Sequence, residues 1–248
     1  MQVRINLWRE VPVRIAILED DTDQVELMQS WFREVGHECH AYGSGSKFKT
    51  ALKRETFDLL VVDWNLPDTT GPEILSWVRE NLDWRIPILF VTSRDLEEDI
   101  VYALEQGADD YMTKPVKRQE TLARVSALER RSQPASNRIT TLKEGLFEFD
   151  LANRNVRIGT NTVELTNKEF DLALLLFRNP GRLLSRNYIL ENVWGTSADL
   201  STRTVDTHIS RVRSKLGIKP DNGVRLNAIY NHGYRLESLT VTGSAPLP

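Results

Sequence analysis

Five polar residues stand where short apolar runs stop. Glu19 and Asp20 follow Val13–Leu18, Asp63 follows Leu59–Val62, Thr92 follows Ile86–Val91, and Lys114 follows the short run Asp110–Met112. Runs of this kind, bounded by turn residues, read as buried strands. If the strand ends adjoin, one site holds several carboxylates, a hydroxyl and an ammonium. Clustered carboxylates repel, and a hard divalent cation such as Mg²⁺ relieves that repulsion through oxygen ligands. Such a metal also neutralises a phosphoryl group in transfer. Lys114 adds a point charge for phosphate oxygens and Thr92 a hydroxyl donor. An Asp carboxylate such as Asp63 can itself accept the phosphoryl group. Each residue alone has a plainer role: Asp20 as a helix cap, Asp63 as a loop cap, Thr92 as a loop hydroxyl, Lys114 as a solvated charge. Their common placement at strand ends argues for a shared site.

The elements that must position these residues alternate. After the first strand, Val25, Met28, Trp31, Phe32 and Val35 recur at helical spacing until Gly36. Glu38–Tyr42 is a weaker strand, with a short helix around Phe48–Leu52. Helices are predicted over 71–80, 96–106 and about 117–130. Strand–helix alternation repeated five times predicts an open parallel sheet with helices on both faces. In such sheets ligands collect at the carboxyl ends of the strands.

Charge divides the 248 residues. Residues 1–131 carry 17 Lys/Arg against 24 Asp/Glu, a net of −7, and residues 132–248 carry 15 against 11, a net of +4. An acidic half joined to a basic half suggests metal or charged-ligand chemistry in the first and a polyanion in the second. Ser132–Asn137 has turn-forming residues and no apolar period, and reads as a linker. The predicted organisation is an extension over 1–12, a first domain over 13–131, a linker over 132–143, a second domain over 144–239 and a tail over 240–248. Cys39 is the only cysteine, so no intrachain disulfide forms. His37 and Cys39 would face opposite to His40 on a strand, which argues against a metal site there. No apolar run approaches the roughly 20 residues of a membrane span, and the start lacks a signal-peptide pattern. A cytoplasmic protein fits.

In the second half, residues 146–165 alternate apolar and polar in short runs and predict a small antiparallel sheet. Thr166–Glu169 reads as a capping box opening an apolar helix. Ser185 opens another. A third helix spans about 202–216, where Val205, Ile209, Val212 and Leu216 form one stripe. Its opposite face carries Arg203, Thr207, Ser210, Arg211 and Ser214, a small and basic surface suited to a DNA major groove, although a solvated charged face has the same pattern. Residues 224–236 read as a terminal hairpin.

Leu18-Glu19-Asp20-Asp21, Val62-Asp63-Trp64-Asn65-Leu66-Pro67, Val91-Thr92-Ser93 and Gly107-Ala108-Asp109-Asp110-Tyr111-Met112-Thr113-Lys114-Pro115 resemble the receiver domain of bacterial two-component response regulators. Leu165-Thr166-Asn167-Lys168-Glu169-Phe170 and Arg203-Thr204-Val205-Asp206-Thr207-His208-Ile209-Ser210-Arg211-Val212-Arg213 resemble the OmpR/PhoB-type winged helix over about 144–238. The resemblance implies an α/β chain: a five-stranded parallel-sheet, flavodoxin- or CheY-like receiver of strand order 2-1-3-4-5, then an α+β winged-helix domain. It implies Asp63 as the residue phosphorylated by a sensor histidine kinase. Asp20, Asp63 and the backbone carbonyl of Asn65 would hold Mg²⁺, with Glu19 acting through water. Thr92 and Lys114 would contact the phosphoryl group, and Tyr111 would be the aromatic that rotates inward when the threonine is drawn toward it. In the second domain, Thr204, Thr207 and Arg211 would face bases of double-stranded DNA, and Arg203, His208, Arg213, Tyr234 and Trp194 phosphates. The loop over 194–200 would be the one that meets RNA polymerase. A homodimer would form through the fourth helix, fifth strand and fifth helix, with Asp109, Asp110, Glu120, Arg124 and Ile100 on that face.

Two departures from the family pattern stand out. Tyr230 and Asn231 take the places of the hairpin's usual Arg and Gly, of which the Arg in the family enters the minor groove, so the resemblance implies reduced minor-groove readout and weaker salt-dependent affinity here; Ser210 also stands where a basic residue is common. Ile100 and Ser126 replace the basic partners of Glu120 and Asp109 on the dimer face. The function implied is a phosphorylation-switched, sequence-specific transcription regulator, not an enzyme acting on a separate substrate. The alternative is a constitutive DNA-binding regulator whose receiver serves dimerisation or protein contacts. A haloacid-dehalogenase-like phosphatase would want an acid two residues after its nucleophile, where this chain has Asn65.

Overall fold

The computed structural model describes residues 13–82, 84–132, 141–195 and 201–239. The chain divides into two compact units, Met1–Ala135 and Ser136–Pro248. The predicted extension (1–12) and tail (240–248) lie outside the described residues, as do positions 196–200 of the predicted polymerase loop.

The first unit runs β1 Arg14–Leu18, α1 Thr22–Glu34, β2 Glu38–Tyr42, α2 Gly45–Arg54, β3 Leu59–Val62, α3 Gly71–Asn81, β4 Ile88–Thr92, α4 Glu97–Glu105, β5 Asp110–Thr113 and α5 Arg118–Ser132. Its five strands are all parallel, in the order β2-β1-β3-β4-β5. Successive side chains on a strand point to opposite faces, so each apolar run feeds two cores. Ala16, Leu18, Leu60, Val62, Ile88 and Phe90 pack with Phe48, Ile74 and Val78 of α2 and α3. Ile15, Ile17, Leu59, Val61, Leu89 and Val91 pack with Met28 and Phe32 of α1 and Val125 and Leu128 of α5. A strand buried on both faces is apolar throughout, which is why these runs show no alternation. Strand order reverses direction between β1 and β3, the place where open sheets of this kind bind ligands, outside the strands' carboxyl ends.

The second unit begins with β6 Thr141–Glu144, β7 Phe147–Asp150, β8 Asn155–Ile158 and β9 Asn161–Val163, an antiparallel sheet. It continues α6 Asn167–Arg178, β10 Leu183–Ser185, α7 Arg186–Trp194, α8 Arg203–Leu216, a 3₁₀ turn Pro220–Asn222, β11 Val224–Ile229 and β12 Gly233–Ser238. The last two strands form a hairpin, and β10 adds to it in the order β10-β12-β11. Phe147, Phe149, Phe170 and Phe177 join the first sheet to α6 in one core with the α8 stripe.

β4 starts two residues later than the predicted Ile86–Val91 and takes in Thr92, and two weakly patterned strands also differ from the sequence expectation. β6 occupies Thr141–Glu144, so the linker predicted to reach 143 yields its last residues to the sheet. Its side chains alternate exposed and half-buried, too weak a pattern to stand out from polar chain. The three-residue β10 is too short for a period of its own and exists because β12 pairs with it.

Candidate phosphoacceptor site and nucleic-acid interface

Backbone hydrogen bonds from the sheet set the first site. The Glu19 amide donates to the Tyr42 carbonyl at 3.0 Å, and the Asp63 amide to the Leu18 carbonyl at 2.9 Å. The Lys114 amide donates to the Thr92 carbonyl at 2.8 Å. Glu19, Asp63 and Lys114 are thereby tied to the carboxyl ends of β1, β3 and β5. The side chains converge: Lys114 Nζ lies 2.6 Å from Glu19 Oε2 and 2.8 Å from Asp63 Oδ2. Glu19, Asp20 and Asp63 each offer a carboxylate oxygen within 4.8 Å of the others, the one such metal-capable group among the described residues. His37, Cys39 and His40 form no such group. His37 sits 3.3 Å from Glu129, and His40 2.7 Å from Glu38.

The cap role open to Asp20 falls to its neighbour. Asp21 Oδ1 accepts from the amides of Asp23 and Gln24 at the start of α1. Asp20 is thus left exposed on the rim, its carboxylate without a hydrogen bond or ion pair among the described residues. Asp63 Oδ1 accepts from the amides of Trp64 at 2.5 Å and Asn65 at 3.4 Å. The Asp63 carboxylate is thereby oriented with one oxygen toward the loop and the other toward Lys114. Asn65 itself is exposed and pairs with Thr70 in an isolated bridge. Gly71 closes this loop from beneath. A Cβ there would lie 2.7 Å from the Asp63 carbonyl oxygen and 2.9 Å from Trp64 Cα, so only glycine lets α3 approach the site.

Burial raises the pKa of Glu19, with the Asp63 charge adding to it, against the opposing hydrogen bond from Lys114. Burial works against the Lys114 ammonium, but its hydrogen bonds to Asp63 and Glu19 prevail and hold its pKa above the ordinary lysine value. Three carboxylates facing one ammonium leave uncompensated negative charge, and every donor is a hard oxygen.

Thr92 is fully buried as the last residue of β4, and its Oγ1 accepts from the Arg94 amide at 3.4 Å. Tyr111 lies inward, 7 % exposed, stacked on Phe90 at 6.1 Å between ring centroids. Its hydroxyl donates to the Arg94 carbonyl at 2.9 Å. Burial pushes its pKa up to about 12, helped by the Asp99 charge, so it is a neutral donor near pH 7. Arg94 is a site residue that sequence patterning missed. Its guanidinium sits 5.0 Å over the Trp64 ring and pairs with Asp99 at 3.2 Å, roofing the loop beside Asp63.

The predicted dimer-face ion groups are engaged within their own chain. Asp109 accepts from Arg79 at 2.8 Å, Arg85 at 3.2 Å and the Ile88 amide at 2.9 Å. Asp110 pairs with Arg124 at 2.9 Å, and Arg124 with Glu120 at 2.8 Å. Ile100 packs half-buried against the core. On and beside α4, Leu96, Val101, Tyr102 and Leu104 are exposed.

In the second unit, Val205, Ile209, Val212 and Leu216 of α8 are buried. Each buried side chain is worth roughly 1.5–3 kcal/mol, which decides the face that turns outward. Arg203, Thr207, Ser210, Arg211, Arg213 and Ser214 are exposed and Thr204 half-buried. The guanidinium groups of Arg203 and Arg211 have no ion pair among the described residues. Arg213 instead donates to the Leu226 carbonyl at 2.8 Å. His208 and Trp194 pack edge to face at 4.9 Å, with His208 Nδ1 2.9 Å from the Thr204 carbonyl oxygen. Tyr234, expected at a phosphate, is 6 % exposed and donates its hydroxyl to Asp206 Oδ1 at 2.6 Å. Arg186 reaches the same oxygen at 2.9 Å and stacks 5.0 Å over the Tyr234 ring. This network braces α8 from behind, and burial of the ring explains why Tyr234 does not reach the surface.

Among the described residues no helix is long and apolar enough to cross a membrane. Residues 15–126 match the family described as "Response regulator receiver domain", and residues 159–236 that described as "Transcriptional regulatory protein, C terminal". The chain is 33 % identical over 225 residues to the sensory transduction protein RegX3 of Mycobacterium tuberculosis, covering 90 % of this chain and 98 % of that one. It is 34 % identical over 226 residues to the phosphate regulon transcriptional regulatory protein PhoB of Rhizobium meliloti, covering 91 % and 99 %. The crystal structure of response regulator DrrB, a Thermotoga maritima OmpR/PhoB homolog, aligns with a TM-score of 0.45 at 26 % identity, covering 92 % of this chain and 100 % of that one. The two family matches, together with relatives 33–34 % identical along nearly their whole length, make this chain a member of the OmpR/PhoB-type two-component response regulators, a DNA-binding transcription regulator.

Proposed function

We propose that Asp63 is the phosphoryl acceptor and that its phosphorylation by a sensor histidine kinase sets how the second unit binds double-stranded DNA. The observation that carries this is the Lys114 ammonium bridging Asp63 and Glu19 at the strand ends, with Asp20 beside them. An Asp63 carboxylate oxygen forms the new P–O bond as the P–N bond to the kinase histidine breaks. The electron pair goes to the imidazole, which takes up a proton. Lys114 neutralises phosphoryl oxygens, and the Trp64 amide orients the attacking carboxylate. Thr92 donates its hydroxyl to the phosphoryl group. The donor set suits Mg²⁺, which Asp20, Asp63 and the Asn65 backbone carbonyl would hold, with Glu19 acting through water. When bound it supplies charge neutralisation of the phosphoryl oxygens. Water attacks the phosphorus slowly, breaking its bond to the Asp63 oxygen and releasing inorganic phosphate with the carboxylate regenerated, and no separate substrate is turned over.

Drawing Thr92 toward the phosphoryl group pulls on the Arg94 amide it accepts from. Arg94 also carries the carbonyl that holds the Tyr111 hydroxyl, so the strain reaches α4 and β5. This biases an existing equilibrium at the α4–β5–α5 face. The homodimer formed there rests on exposed Leu96, Val101 and Leu104, because Asp109, Asp110, Glu120 and Arg124 are already paired in the chain. Paired α8 helices then read tandem half-sites, Thr204, Thr207 and Arg211 at bases and Arg203, His208 and Arg213 at phosphates. The 194–200 loop is the contact for RNA polymerase.

Phosphoryl uptake from acetyl phosphate with Mg²⁺, followed by mass spectrometry, tests the first step. D63N is expected to take up none, and phosphate retained on D63N would sink the assignment. Selection of genomic fragments with and without beryllofluoride and Mg²⁺ tests the switch. A direct repeat bound more tightly on activation supports it, whereas equal binding in both conditions supports the constitutive regulator.

A further inference from the structure

Helix α2 carries Lys47, Lys49, Lys53 and Arg54 and no acidic residue. The rest of residues 1–131 holds 13 Lys/Arg against 24 Asp/Glu. A positive stripe thus lies on a negative domain, and anions that approach this unit are drawn to it.

The four cations differ in how they are held. Lys49 and Lys53 Nζ lie 5.7 and 5.5 Å from the centroid of the Trp77 ring on α3, an attraction that keeps them against the domain. Lys47 and Arg54 are exposed and have no ion pair among the described residues. They stand seven positions apart on one helical face, about 10.5 Å along the axis. Between them Thr50 and Ala51 floor an open cleft of 420 Å³. The Thr50 hydroxyl donates to the Ser46 carbonyl at 2.9 Å. Glu55 closes one end, but its carboxylate is engaged by Arg14 at 3.3 Å. The platform is fixed from below and at its start. Phe48 and Leu52 are buried beneath it, and Asp68 accepts from the Gly45 and Ser46 amides at 2.8 and 3.0 Å.

We propose that this face of α2 docks an acidic segment of a partner protein, with one carboxylate on Lys47, one on Arg54 and a small side chain over Ala51. In a polyproline-like stretch, residues three apart share a face and lie about 9.3 Å apart, close to the spacing of the two cations. Arg54 can take its carboxylate in a bidentate fork. A short segment suits the surface better than a nucleic acid. A duplex carries a charge every roughly 1.7 Å of its axis and would press many phosphates against the acidic remainder of the domain. The docking does not rest on the phosphoryl-acceptor reading of Asp63.

The test titrates the ¹⁵N-labelled full-length protein with a capped nine-residue peptide whose core is Glu-Pro-Ala-Glu. Amide shifts of residues 45–55 report binding. A peptide of the same composition with adjacent glutamates is expected to bind about fivefold more weakly, the equivalent of one exposed ion pair. K47A/R54A should weaken the first peptide about tenfold, as loss of two exposed ion pairs does, at unchanged Tm. K49A/K53A should stay within about twofold, because those cations are turned to Trp77. Salt near 1 M, with a Debye length of about 3 Å, should abolish the shifts. D63N should bind as the wild type does, which keeps this result separate from the phosphoryl-acceptor assignment. Wild-type affinity in K47A/R54A, or equal binding of the two peptides, overturns the proposal. A mixed-sequence duplex that shifts the same amides at lower concentration than the peptide also overturns it and makes α2 a nucleic-acid contact.

Discussion

Lys114 Nζ and Asp63 Oδ2 lie 2.8 Å apart, so the ammonium occupies the oxygen that a divalent cation or a phosphoryl group would also use. Removing the cation frees Asp63 for metal but strips the phosphoryl group of its counter-charge. K114M is expected to bind Mg²⁺ more tightly, on the order of tenfold given the strength of close charge pairs in proteins, while phosphoryl uptake falls. A Mg²⁺ titration followed by Trp64 fluorescence, beside an uptake assay, reads both. Weaker Mg²⁺ binding by K114M would contradict the competition.

Burial raises the Glu19 pKa above 4.5, and this has a definite sign. The folded chain binds a proton at Glu19 more tightly than the unfolded chain. Its contribution therefore favours folding as pH falls through the folded value and is lost as pH rises above it. Metal binding needs the charged form. Mg²⁺ affinity should decline on acidification at a higher pH than an ordinary carboxylate would give, and E19Q should flatten that part of the profile. Metal titrations from neutral to mildly acid pH distinguish the two shapes.

A Cβ at Gly71 would lie 2.5 Å from Phe90 Cε1, and the backbone of Asp63 and Trp64 blocks any retreat. G71A is expected to lose about 1–3 kcal/mol, as overpacking does. Urea unfolding measures the loss, and phosphoryl uptake should fall with it because the Asp63 loop must shift.

The Tyr111 hydroxyl bond to the Arg94 carbonyl should hold one arrangement of the β4–α4 loop. Y111F removes a bond worth about 1 kcal/mol and leaves Asp63, Lys114 and Thr92 in place. Phosphoryl uptake should stay within about twofold while DNA binding without activation changes by about fivefold, the equivalent of that energy. Binding curves for the unphosphorylated proteins decide it.

Tyr234 braces α8 through Asp206 and does not face solvent. Y234F should lower stability by about 1 kcal/mol and change DNA affinity by less than about twofold, a change of under 0.5 kcal/mol. A large affinity loss at unchanged Tm would return Tyr234 to the DNA surface.

By itself the sequence determined the parallel sheet and the strand-end cluster. Strands buried on both faces must be continuously apolar, so Leu59–Val62 and Ile86–Val91 announce themselves, and the polar residue ending each run is placed by chain continuity alone. The α8 stripe was legible for the same reason: the helical period is local. Tertiary structure alone decided what depends on elements distant in sequence. Asp21 rather than Asp20 caps α1, Arg79 answers Asp109 from 30 positions away, and Arg186 and Asp206 draw Tyr234 inward. Strands β6 and β10 are likewise too weakly patterned to be read alone, and each exists because a partner strand satisfies its backbone. Pairing across the fold costs no local signature, so it leaves none in the sequence.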